Sequence, residues 1–157
     1  MNIREHRSSD TAALITCLIQ LQDAERQFLP TLLAGRDIAG ALLQEMLDLC
    51  HARAGKIFVV EAEEQVAGFV AVQAKVPMTE IDEESYEYGY ISDLVVLDTF
   101  RGRGFGRALL AAAEEYVRTQ GITRLRLSVL AQNSVARQLY HRLGFVEWEV
   151  ILEKILD

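Results

Sequence analysis

The chain has 157 residues, half of them hydrophobic and a quarter charged, enough to bury one core and too few for two. Its net charge of −7 makes it a poor binder of the phosphate backbone of DNA or RNA. No apolar run is long enough to cross a bilayer, and Met1 to Asp10 lacks the apolar core of a secretory signal, so one cytoplasmic domain over residues 1–157 is expected, with no membrane or nucleic-acid partner.

Asn2 to Arg7 reads as a short first strand, and Ser8, Ser9 or Asp10 can cap a helix with the apolar stripe Leu14, Cys17, Leu18 and Leu21. Pro30 ends that segment or the loop after it. A second helix, roughly Arg36 to Ala52, sets Ile38, Leu42, Met46 and Leu49 on one side, with Gly40 a weak spot and Gly55 closing the helical region. Cys17 and Cys50 fall on the apolar faces of these helices and read as small buried thiols. Lys56 to Ala62 and Val66 to Lys75 are β-rich runs around the polar turn Glu63-Glu64-Gln65, a hairpin that Pro77 stops.

Glu80, Asp82, Glu83, Glu84 and Glu87 form an acidic stretch, read either as a solvated face or as a surface that attracts a cation. Tyr88 to Leu97 is the next strand, and it feeds the turn Arg101-Gly102-Arg103-Gly104-Phe105-Gly106-Arg107 at the start of an alanine-rich helix that ends before Gly121. Leu125, Leu127 and Val129 alternate with polar residues as in a strand with one buried face. Asn133 caps a last helix with Val135, Ala136, Leu139, Tyr140 and Leu143 inward, and Gly144 ends it. Phe145 to Ile155 reads as the final strand, whose Trp148, Val150 and Leu152 would cover a sheet edge by pairing with a second subunit in a homodimer. The order β-α-α-β-β-β-α-β-α-β predicts an α/β fold with a mixed sheet, antiparallel early and parallel where helices cross over.

A strand running into a glycine-rich turn at a helix N-terminus is an anion site, because unpaired backbone N–H groups and the positive dipole end converge there. The dinucleotide fingerprint needs a sixth-position glycine, where Arg107 stands; the P-loop needs Lys and Ser or Thr after its last glycine, where Arg107 and Ala108 stand. The basic charge is concentrated nearby: residues 101–157 carry nine Lys/Arg against six Asp/Glu, whereas residues 1–100 carry seven against seventeen. Arg101, Arg103, Arg107, Arg124, Arg126, Arg137 and Arg142 could surround a phosphate-rich ligand. His6, His51 and His141 are scattered, and the adjacent Cys50 and His51 point about 100° apart on a helix, so neither a metal site nor a Cys-His nucleophile is expected.

Arg101-x-x-Gly104-x-Gly106, preceded by Leu94-Val95-Val96, resembles the signature of the Gcn5-related N-acetyltransferase (GNAT) family. A second match is Asn133-x-x-Ala136-x-x-x-Tyr140 followed by Leu143-Gly144-Phe145. The resemblance implies the acyl-CoA N-acyltransferase fold and acetyl-CoA as cosubstrate. It implies that backbone N–H groups of Gly102, Arg103, Gly104, Phe105, Gly106 and Arg107 hold the pyrophosphate, with Arg101 at the leading position. The main chain of Leu94, Val95 and Val96 would pair with the pantetheine amides, which requires this strand to splay from the next, with a bulge expected near Val95 or Val96. Asn133 would contact pantetheine, and Tyr140 would protonate the departing thiolate.

The general base is left open. Members of the family often place a Glu on the face of Leu94, where simple alternation puts Tyr90 and Ser92 here. Asp93, one residue out of phase unless a bulge reverses it, is the candidate; Glu87 and a water relay through Ser92 and Tyr90 are the alternatives. The implied function is direct acetyl transfer to a primary amine, with an inactive acyl-CoA-binding sensor or partner module of the same fold as the alternative. Many members of the family carry two C-terminal strands, whereas one run follows Gly144 here.

Overall fold

The computed structural model describes residues 1–156. Strands β1 (Asn2–Glu5), β2 (Lys56–Ala62), β3 (Gln65–Pro77), β4 (Glu87–Val96) and β5 (Leu125–Leu127) form one sheet in the order β1-β2-β3-β4-β5. The first three pairings are antiparallel and β4–β5 is parallel, because β4 and β5 are joined through helix α3 (Phe105–Thr119) rather than a hairpin. Helices α1 (Thr11–Glu25) and α2 (Gly35–Ala52) cover one face of the sheet, and α3 covers the other. Helix α4 (Ser134–Arg142) follows β5.

Each face has its own core. Leu14, Leu18, Met46, Val59, Phe69 and Val95 pack under α1 and α2, while Val60, Val70, Val72, Ile91, Leu109 and Leu110 pack under α3. Covered on both sides, β3 is buried without a break from Ala67 to Ala74, as a central strand with two dry faces must be. The hairpin between β2 and β3 turns on Glu63 and Glu64, both with positive φ (53° and 61°), which matches the twist of the flanking strands. At the start of α1, Asp10 is 6% exposed; its carboxylate accepts from Arg4 at 2.7 and 3.0 Å and from the Arg7 N–H at 2.7 Å. Cys17 and Cys50 are free and buried, and burial pushes their thiols up to about 12 and about 11.

Several expectations need correction. The buried face of α2 is Ala39, Leu43, Met46 and Cys50, one residue on from Ile38, Leu42 and Leu49, because the close seat of Gly35 against α1 sets the helix rotation. Strand β3 runs two residues past Lys75 and ends at Pro77. Val135 is exposed, and α4 rests on the α3 side through Leu139, Tyr140 and Leu143. The expected final strand is absent: Phe145 to Leu156 has no strand pairing, and β5 is the last strand of the sheet. Alternating apolar residues make a strand only where an edge takes them up.

Candidate active site

Strand β4 pairs with β5 at Gly89, Tyr90 and Ile91 and with no residue beyond, although it continues to Val96 against β3. The last side-chain link before the strands part is the Tyr90 hydroxyl with Ser128 Oγ, 3.1 Å apart. From Ser92 onward the β5-facing backbone of β4 is therefore an open edge, the feature the splay expectation required. The turn that follows lies at the mouth of the gap.

Its shape is held by side chains. Gln20 of α1 accepts from the Asp98 N–H at 2.9 Å, and Arg101 donates to the Val96 carbonyl at 3.1 Å while pairing with Asp98 at 2.6 Å. Arg103 pairs with Glu63 at 2.8 Å and lies over the rings of Phe100 and Phe105. Gly102 and Gly104 have φ of +74° and +82°, a left-handed conformation that glycine adopts freely, and Gly104 is the N-cap of α3. The first N–H groups of α3 have no intrahelical acceptor and lie at its positive end. Gly106 has a different reason: a Cβ there would sit 3.6 Å from Leu139 and 3.9 Å from Val96, in the space between β4 and α4. At Gly104 an added Cβ would meet no protein atom within 4 Å, and the positive φ is what disfavours a side chain there.

The arginines do not form one ring. Arg101, Arg103 and Arg107 belong to the turn and the start of α3, and Arg107 forms no ion pair among the described residues. Arg124 and Arg126 instead stack on Tyr86, Tyr88 and Trp148 at the other end of β5, and Arg137 pairs with Glu147.

A bulge reorganises the far side of the cleft. Ala71 pairs with Asp93 but its neighbour Val72 pairs with Ile91, so Ser92 is the extra residue. The bulge was expected near Val95 or Val96 and lies a few residues earlier. Leu94 and Val96 consequently face α3, whereas Asp93 and Val95 share the α1/α2 side with Tyr90. The simple alternation that put Tyr90 and Ser92 with Leu94 is overturned, and a carboxylate occupies the face it appeared to lack.

Asp93 is partly buried, and desolvation raises its pKa, opposed by a hydrogen bond from Ser92 and reinforced by Glu45. Glu25, at the end of α1, is raised by burial and then by Asp93. Tyr140 is raised by burial and then by Glu25, and it packs edge-on against Phe145 with centroids 5.9 Å apart. Its hydroxyl has no hydrogen-bond partner among the described residues. Glu25 therefore joins Asp93 and Tyr140 in one electrostatic neighbourhood; no motif marks it, because only the packing of α1 on the sheet brings it there. Glu87 lies at the far end of β4, opposite Pro77. Asn133 spends its Oδ1 on the Ala136 N–H at 3.1 Å as the N-cap of α4, which leaves its amide NH₂ for a ligand.

Among the described residues no group of three His, Cys, Asp or Glu side chains could hold a metal, and no helix is long and apolar enough to cross a membrane.

The chain resembles known proteins in sequence and in fold. The model of the Acetyltransferase (GNAT) family matches residues 20–145. YhfO of Bacillus subtilis, named as an uncharacterized N-acetyltransferase, is 30% identical over 94% of this chain and 91% of its own. YycN of the same organism is 32% identical over 60% of this chain, and a mycothiol acetyltransferase of Salinispora tropica is 38% identical over 60%. The matches span 56% and 30% of those two relatives. Among solved structures, a mutant form of the BH1408 protein of Bacillus halodurans superposes with a TM-score of 0.82 at 22% identity, covering 99% of both chains. The aminoglycoside N-acetyltransferase AAC(6')-Iy in complex with CoA gives 0.71 at 18% identity, again covering 99% of both. With a family model spanning most of its length and the parted strands at its centre, the chain belongs to the GNAT acetyltransferase family.

Proposed function

We propose that the protein transfers an acetyl group from acetyl-CoA directly to a primary amine. The observation that carries this reading is the parting of β4 from β5 after Ile91, beside a turn whose two glycines have positive φ and lead into the N-terminus of α3. In this reading the N–H groups of residues 102–107 hold the pyrophosphate, with Arg101 and Arg103 keeping the turn rigid through Asp98 and Glu63. The open edge from Leu94 through Val95 to Val96 holds the pantetheine arm, and the amide of Asn133 reaches it from α4.

The acceptor enters on the α1/α2 side, where Asp93, Glu25 and Glu45 give a negative field suited to a cationic amine. Asp93 takes a proton from the incoming ammonium, leaving a free amine to attack the thioester carbonyl. A C–N bond forms first, the carbonyl oxygen of the tetrahedral intermediate becomes an oxyanion received by a main-chain N–H near Val96, and the C–S bond breaks as the carbonyl re-forms. Tyr140 gives its hydroxyl proton to the leaving thiolate and is reprotonated, through solvent, by the second proton that the attacking nitrogen sheds as the amide forms. Burial makes the phenol a weak acid, but a thiolate in the same poorly hydrated cleft gains more from a donor than it would in water.

Relatives named mycothiol acetyltransferase and a neighbour named aminoglycoside N-acetyltransferase support an acceptor of amine class. The test is release of free thiol from acetyl-CoA across a panel of polyamines, amino acids, aminoglycosides and peptides. Amine-dependent release is expected from at least one class. Saturable acetyl-CoA binding with no release from any would instead favour the sensor-module reading.

A further inference from the structure

One end of the gap between β4 and β5 is closed by a side chain. The last paired residues, Ile91 and Leu127, face the α3 side and pack with the core there. Tyr90, one position earlier on β4, faces the α1/α2 side, and its hydroxyl donates to Ser128 Oγ at 3.1 Å. The residue beside Tyr90 on β5 is Arg126, and Ser128 stands two residues farther on. The ring therefore runs diagonally forward, about 4.8 Å across to the next strand and about 6.6 Å along it. It roofs the first part of the gap, past the point where the backbones part. The bond to Ser128 is the only hydrogen bond of the Tyr90 side chain among the described residues, so Ser128 is what fixes the ring across the gap.

In the acetyl-transfer reading, on which this inference rests, the diphosphate lies at the open mouth and the arm runs inward along Val96, Val95 and Leu94. The group carried at the tip of the arm then points at the closed end. There it meets Ile91 and Leu127 on one side and the Tyr90 ring on the other. A longer group has two courses. Straight ahead it overlaps the ring; turned out toward α1 and α2, it lies between Asp93 and the incoming amine, because the Ser92 bulge puts Asp93 on the same face as Tyr90.

We infer that Tyr90, held by Ser128, is a specificity-determining residue that limits the donor to a two-carbon acyl group. Surplus methylenes against a closed wall discriminate by about 10- to 200-fold, enough to set donor choice. Gly106 serves the opposite purpose toward the mouth, where the absence of a side chain leaves the space between Val96 and Leu139 clear for the arm.

Titration calorimetry with CoA, acetyl-CoA and butyryl-CoA tests this without an acceptor. Wild-type protein is expected to bind butyryl-CoA at least about tenfold more weakly than acetyl-CoA. Tyr90→Ala removes the wall and is expected to bring the two within about threefold of each other. Ser128→Ala, at an exposed position that leaves folding intact, frees the ring and is expected to narrow the difference by at least about threefold. CoA itself, with no acyl group, is expected to bind all three proteins within about twofold. Equal affinity of the wild type for the two thioesters, or an unchanged ratio in either folded variant, would overturn the inference while leaving acetyl transfer standing. Folded wild-type protein that binds neither CoA nor any thioester would instead overturn the acetyl-transfer reading, and this inference with it.

Discussion

Asp93 and Ile91 are two residues apart on one strand yet face opposite sides of the sheet, because Ser92 is an extra residue in β4 opposite consecutive partners Ala71 and Val72. Without that bulge Asp93 would point toward α3, away from Glu25. Asp93→Asn is expected to lower kcat/KM about 100-fold, the scale of a lost general base, with little change in acetyl-CoA affinity.

The pH profile gives the sign of this effect. Burial raises the pKa of Asp93 above its ordinary value, so the base becomes available, and the rate rises, at a higher pH than for an exposed aspartate. Glu45 contributes to that rise, so Glu45→Gln is expected to move the acid limb to lower pH. Rate profiles of the three proteins check it; an unmoved limb in Glu45→Gln and a retained limb in Asp93→Asn would assign the base elsewhere.

Tyr140→Phe keeps the packing on Phe145 and removes only the hydroxyl, which has no hydrogen-bond partner among the described residues. Turnover should fall by about 100-fold while the dissociation constant for acetyl-CoA, from calorimetry, stays within about twofold. Equal losses in both would make Tyr140 a binding residue only.

Gly104 and Gly106 separate conformation from space. Gly104→Ala forces a side chain into the left-handed region and is expected to cost about 1 kcal/mol of stability in a denaturant melt. Gly106→Val leaves the backbone unstrained and fills the gap between Val96 and Leu139, so acetyl-CoA affinity should fall at least about tenfold with a small stability change.

Asp10 tests the fold rather than the site. Its pKa is lowered from 3.8 to about 2, chiefly by the Arg4 hydrogen bond, so it stabilises the native state above its unfolded value and loses that contribution as pH falls toward 2. Asp10→Asn should cost about 2 kcal/mol near neutral pH, and the two proteins should converge in stability as pH falls from 4 to 2. Urea melts across that range measure the convergence.

The glycine turn was legible because its chemistry is local: Gly102 and Gly104 adopt the positive φ that a turn into α3 needs, and Gly121 and Gly144 do the same beyond the ends of α3 and α4. Helices and strands up to β5 were legible from periodicity for the same reason. What could not be read depends on partners distant in sequence. The Ser92 bulge exists only against β3, and the charge of Asp93 is felt by Glu25 only because the fold packs α1 on the sheet. The rotation of α2 by one residue follows from contact with α1 at Gly35, which no heptad count contains. The Phe145 to Ile155 pattern is a genuine strand signal, but pairing also needs an edge, and the isolated chain does not bring β5 to it.

The central claim is that the gap between β4 and β5 holds a CoA thioester by its diphosphate and arm. Titration calorimetry of the purified protein with acetyl-CoA tests it most directly. One saturable site per chain is expected, weakened by Gly106→Val and not displaced by NAD or ATP. An absence of binding to both acetyl-CoA and CoA by folded protein, or ready displacement by those nucleotides, would contradict it.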